Sequence, residues 1–163
     1  MSGTKAPRNV VVLQHVPGRG MVRSSLIEPS RFESEKLRIN VLFTDFAATE
    51  VALRCALELA IGLEAEINII VPHVVPYPLD LESPAVALEF MCTRLRMLAG
   101  PVRADPYVYV YLCRDVMDLL RTILPAHSIV VLGSRKQWLA KWRTGRITRK
   151  LTNNGCQIIL ARY

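Results

Sequence analysis

R-I-N-V-L-F-T-D-F-A-A-T-E-V-A-L-R-C-A-L-E-L-A-I-G-L-E-A-E-I-N-I-I-V, residues 38–71, is the stretch whose reading decides the fold. It opens on a short β-branched run, residues 39–44, that stops at Asp45. Residues 47–63 then place Ala52, Ala56, Leu59 and Ala60 at i, i+4, i+7 and i+8, the spacing of one helical face. The alanines on that face let a helix approach a sheet closely. A second apolar run, residues 67–75, follows. Strand, helix and strand in this order predict a parallel pair with a right-handed crossover.

The alternation continues outward to the C-terminus. After a proline loop through Tyr77-Pro78-Leu79-Asp80, residues 84–98 predict a second helix. Residues 107–113 set Tyr107, Tyr109 and Tyr111 against Val108, Val110 and Leu112, a strand less buried on one face. Residues 115–124 are helical, and 128–132 form an apolar strand. A last helix opens at Thr144 or Gly145 and runs to Asn154, and residues 156–161 form the last strand. The expectation is a doubly wound, Rossmann-like α/β domain over 38–163, helices on both faces of a parallel sheet. Residues 1–37 read as an N-terminal extension in which 10–16 fit one further strand, ended by Pro17-Gly18-Arg19-Gly20. Gly18 and Gly20 make a weak dinucleotide-loop match, because Arg23 stands where a third glycine belongs. Ligands of such sheets sit at the carboxyl ends of strands, which directs attention to Asp45, Val75, Arg114 and Gly133.

Charge is segregated along the chain. Residues 1–38 carry seven basic and three acidic groups, and residues 39–118 carry five basic and eleven acidic. Beyond Asp118 there are nine basic residues and no acid, a pattern that fits an anionic partner or a solvated face. No apolar run approaches the roughly 20 residues of a membrane helix, and no signal peptide is expected. Cys55, Cys92, Cys113 and Cys156 are scattered without C-x-x-C spacing, as in a reduced, cytoplasmic protein.

The segments V-L-F-T-D (41–45), A-L-R-C-A-L-E-L-A-I-G-L-E-A-E-I (52–67), I-V-V-L-G-S-R (129–135) and C-Q-I-I-L-A-R (156–162) together resemble the universal stress protein family. The likeness spans roughly residues 38–163. It implies a five-stranded parallel sheet of order 3-2-1-4-5, a stress-response role, and dimerisation through the last strand. It also implies ATP binding through G-x-x-G-x9-G-(S/T), with Asp45 at or beside the adenine. Gly133 stands at the first glycine, followed by Ser134. Lys136 then replaces the second glycine, only eight residues separate it from Gly145, and Arg146 replaces the serine or threonine. Phe46 and Ala47 stand where the family has glycine and serine. The expected nucleotide- or anion-binding set is therefore Asp45, Gly133, Ser134, Lys136, Arg143, Gly145 and Arg146. Its expected chemistry is charge pairing at the start of a helix opening at Gly145, with ATP a poor match.

Other constellations are weaker. Walker A, G-x-S-x-G, H-E-x-x-H and C-x-x-C are all absent, so neither catalysis nor a metal site is expected. His15, His73 and His127 have no partners at metal-ligand spacing. Asp115 and Asp118 fit the first turn of a helix. The tyrosine row resembles a stacking platform for single strands but lacks interleaved basic residues, which favours a packed aromatic row. Trp138 and Trp142, among Lys136, Lys141 and Arg143, form either a satellite packing cluster or a membrane-surface or partner patch. Cys156, Gln157, Ile158, Ile159, Leu160 and Ala161 would leave an apolar sheet edge that a homodimer covers. Two functions stand: a non-catalytic stress or regulatory module binding a nucleotide or other anion, and an interaction module docking an acidic partner or nucleic acid through the basic loop.

Overall fold

The computed structural model of the chain describes residues 10–16, 20–22, 36–81, 88–100, 104–134 and 138–162, with 20–22 and 138–144 described in backbone alone. The elements run β1 (Val10–Val16), β2 (Gly20–Val22), β3 (Arg38–Leu42), α1 (Phe46–Leu63), β4 (Glu66–Val74), α2 (Leu88–Ala99), β5 (Tyr107–Cys113), α3 (Val116–Ile123), β6 (Ile129–Ser134), α4 (Trp138–Asn153) and β7 (Gln157–Arg162). They build a seven-stranded sheet of order β2-β1-β5-β4-β3-β6-β7. The expected 3-2-1-4-5 arrangement is its β5-β4-β3-β6-β7 part, with all those pairings parallel.

The five expected strands of residues 38–163 are present, the further strand expected at 10–16 is β1, and β2 brings the sheet to seven. β1 pairs parallel with β5 from Val10 against Val108 to Gln14 against Leu112, and β2 folds back antiparallel on β1. The sequence of residues 10–16 fits this position because Val11 and Leu13 lie beside Tyr109 and Tyr111, extending one apolar face of the sheet. β1 and β2 cover the β5 side only. β7 remains the opposite edge.

Alternation within the strands supplies two cores. On one face Ile39, Val41, Ile67, Ile69, Val108, Val110 and Val131 pack with Ala52, Leu53 and Ala56 of α1 and Cys92 and Leu95 of α2. On the other, Leu42, Ile70, Tyr111 and Leu132 pack with Leu119 and Leu120 of α3 and Leu151 of α4. Strands buried on both faces read as near-continuous apolar runs, and this is why 39–42 and 129–132 were legible. α1 starts where the Asp45 side chain accepts a hydrogen bond from the Ala48 N–H at 2.9 Å. Its end is set by Glu64 in the left-handed region, φ 51°, donating its N–H to the Ala60 carbonyl.

The last helix corrects the expectation. α4 begins at Trp138, not at Thr144 or Gly145, so Gly145 lies in its interior. Leu139, Ala140, Lys141 and Arg143 are good helix formers, and one interior glycine costs about 1 kcal/mol without breaking a helix. Lys136 lies outside the described residues, as do the first four residues of the expected second helix, 84–87. No helix among the described residues is long and apolar enough to cross a membrane.

Candidate functional site

β3 and β6 are neighbours, with Leu42 beside Leu132, so the turns that follow them meet at the carboxyl edge of the sheet. The structure brings Asp45 and Gly133 together there. Asp45 is held as the N-cap of α1, and the Thr44 N–H donates to Thr49 Oγ1 at 3.3 Å, fastening the same turn. A cap of this kind satisfies one of the orphan N–H groups of the helix. Gly133 is explained by a close approach: a Cβ there would lie 1.9 Å from the Ala48 carbonyl oxygen. The glycine therefore allows the first turn of α1 to rest directly on β6. Ser134 ends β6 opposite Arg162.

Beside this turn the sheet edge is occupied by aromatic side chains. Phe43 and Phe46 meet edge to face at 5.1 Å, and the Arg94 guanidinium of α2 lies 3.9 Å from the centre of the Phe46 ring. Cation–π contacts of this type are worth about 0.5–1 kcal/mol at exposed sites. Beyond β4, Arg114 donates to the Val75 carbonyl at 2.8 Å and stacks over Tyr77 at 4.2 Å. The arrangement at residue 46, where the resemblance implies glycine, is thus a Phe43–Phe46–Arg94 cluster that ties α1 to α2.

Of the remaining expected site residues, those whose side chains are described lie inside α4 rather than at its start. Gly145 and Arg146 lie in the middle of α4 and are exposed, and a Cβ added at Gly145 would meet nothing within 4 Å. Interior N–H groups of a helix are already bonded to carbonyls four residues back, so the unpaired donors belong to the turn beginning at Trp138. Arg143 is in the same helix, its side chain outside the description, as are those of Trp138 and Trp142. Arg146 and Arg149 are exposed and Lys150 is half-buried.

Sequence reasoning missed the opposite end of the sheet. A cavity of about 490 Å³ lies below α3, lined among others by Asn40, Asn68, Tyr109, Tyr111, Ile123 and Ser128. The signal was present as a repeat: Ile39-Asn40-Val41 and Ile67-Asn68-Ile69 place an asparagine at matching positions of two adjacent strands. The tyrosines form the expected packed row, with centroids 6.4 and 6.3 Å apart. Burial, with Tyr109 beside it, holds the Tyr111 phenol far above its ordinary value.

No group of three or more His, Cys, Asp or Glu suited to a metal occurs among the described residues. All four cysteines are free thiols. Burial pushes Cys92 and Cys156 up, and burial together with the nearby Asp115 pushes Cys113 up to about 11. Such thiols are poor nucleophiles. Buried His15 sits with Nε2 3.1 Å from Thr122 Oγ1, and that hydroxyl donates to the Asp118 carbonyl. The hydroxyl must then accept from His15 Nε2–H, which leaves Nδ1 buried without a partner among the described residues. Asp115 caps α3 by accepting from the Asp118 N–H at 2.9 Å.

No protein-family model matches the sequence, and no curated protein matches it. Solved structures do. The universal stress protein UspA from Lactobacillus plantarum is similar with a TM-score of 0.50 and 14% identity, over 80% of this chain and 100% of that one. A universal stress protein in complex with cAMP matches with a TM-score of 0.48 and 12% identity, over 78% of this chain and 98% of that one. At such identities the likeness to the Lactobacillus protein is one of fold.

Proposed function

We propose that this universal-stress-protein fold serves as a non-catalytic regulatory or stress-response module in the cytoplasm. In this reading it recognises an anionic group at the carboxyl end of β6 and along α4, with poor selectivity for ATP, and works as a homodimer through β7. The observation that carries the reading is the charge on α4. No acid follows Asp118, while Arg146 and Arg149 are exposed and Lys150 half-buried along the second half of the helix. Like charges at such spacings repel by roughly 0.2–0.5 kcal/mol per pair on a helix, a penalty that a bound anion removes. Support also comes from the three-residue connection between Ser134 and Trp138, which contains Arg135 and Lys136 and leads straight into the unpaired N–H groups of α4.

Against a selective nucleoside site stand the Phe46 cluster and the contact of Ala48 on Gly133. The phosphate charge, rather than the base, is then what the protein reads. Calorimetric titration with Mg-ATP and with pyrophosphate tests this. The expectation is comparable affinities that both weaken as salt shortens the Debye length below ~10 Å, and that fall together in an Arg146→Ser, Arg149→Ser variant. Low-micromolar, salt-insensitive ATP binding with strong preference over pyrophosphate would reject it, as would ATP hydrolysis above background. Steeply salt-dependent binding to duplex DNA with no binding of ATP or pyrophosphate would assign the same basic face to an interaction module instead.

A further inference from the structure

The asparagine pair and the cavity it faces have no part in that reading, and they lie at the other end of the sheet. Interior strands of a sheet covered on both faces are ordinarily apolar. Asn40 and Asn68 break the pattern at paired positions of β3 and β4, with Tyr107 next in the row. The Asn40 amide donates to the Ile129 carbonyl at 3.3 Å, whereas the half-buried Asn68 side chain has no hydrogen-bond partner among the described residues. The cover is short here because α3 has only eight residues, and its last one, Ile123, lies on the cavity wall.

We propose that this cavity binds a small organic acid that carries an aromatic ring. Ile70, Ile123 and the Tyr109 ring supply apolar and aromatic wall, the two carboxamides supply donors and acceptors, and the mouth carries Lys36 and Arg38. Among the described residues no acidic side chain lines the cavity. Lys36 lies 3.9 Å from Glu66, and Arg38 has a partner of its own, so the positive charge at the mouth is partly compensated. That balance suits one carboxylate or phosphate better than a polyphosphate. The volume falls in the range of about 300–1,000 Å³ typical of small-molecule sites.

Backbone and asparagine side-chain NMR of the full chain, titrated with 4-hydroxybenzoate, adenosine monophosphate and the neutral 4-hydroxybenzyl alcohol, tests the assignment. One acid is expected to give saturable shifts at Asn40, Asn68 and Tyr109, binding at least about tenfold more tightly than the alcohol. Saturation by the benzoate identifies a carboxylate ligand, and saturation by the nucleotide a phosphate. Asn68→Asp, which keeps the volume and adds a negative charge, should weaken that binding at least about tenfold, and Asn68→Leu should abolish it by filling the space. The Arg146→Ser, Arg149→Ser variant should bind unchanged, which separates this site from the one on α4. The proposal is overturned if neither acid saturates, if the alcohol binds equally well, or if Asn68→Asp binds like the wild type.

Discussion

Gly133 and Cys113 show how single residues are fixed by what packs on them. Glycine at 133 belongs to a nucleotide loop in the family pattern, yet its surroundings give a mechanical reason: the Ala48 carbonyl occupies the place of a side chain. Gly133→Ala should therefore destabilise the protein by about 1–3 kcal/mol or more, as overpacking does, read from urea unfolding with unchanged slope. An alanine tolerated there would mean that α1 does not rest on β6. For Cys113, the folded thiol is raised to about 11 from its ordinary value of 9.0. The unfolded chain then releases its proton first, so the stability contribution is complete below pH 9 and is lost as pH rises through 11. Cys113→Ala should flatten the fall in unfolding free energy over that window, even if it lowers stability at neutral pH. Sequence spacing announced neither role, because both depend on atoms from distant segments.

Helix α4 carries the clearest difference between sequence and structure at the scale of elements. Its residues 138–144 read as a basic aromatic loop, and Gly145 as the start of a helix. The observed helix instead begins seven residues earlier, at Trp138. Propensity within 138–144 favours helix, and a lone glycine is a weak breaker. Gly145→Ala is expected to stabilise the protein by about 0.5–1 kcal/mol, since nothing crowds the new methyl group. The same variant should leave ATP and pyrophosphate binding unchanged, whereas a phosphate cradle at Gly145 would lose affinity on gaining a side chain. Paired thermal unfolding and calorimetry decide between the two. α1 is the opposite case: its alanine face and its end at Leu63 were legible from local period, while the capping role of Asp45 came only with the structure.

At the scale of the whole molecule, the sheet has one edge extended by β1 and β2 and another formed by β7. Leu160 is 39% exposed on that second edge, and Ile158 and Ile159 are only half-buried. An apolar edge strand with unpaired backbone groups is a template for another chain. The wild type is expected to sediment as a dimer at micromolar concentration and Leu160→Lys as a monomer; a monomeric wild type removes dimerisation from the proposed function. The sequence by itself determined the α/β class, the parallel inner strands and both strand-end positions, Asp45 and Gly133, because periodicity and chain punctuation are local properties. It also held the matched asparagines of 40 and 68, but not their meaning. Only tertiary structure decided that β1 joins β5, that Ala48 sits on Gly133, and that the two asparagines face one cavity under a short helix. Those outcomes come from contacts between segments far apart in the chain, where shape and unfilled space, rather than period, select the arrangement.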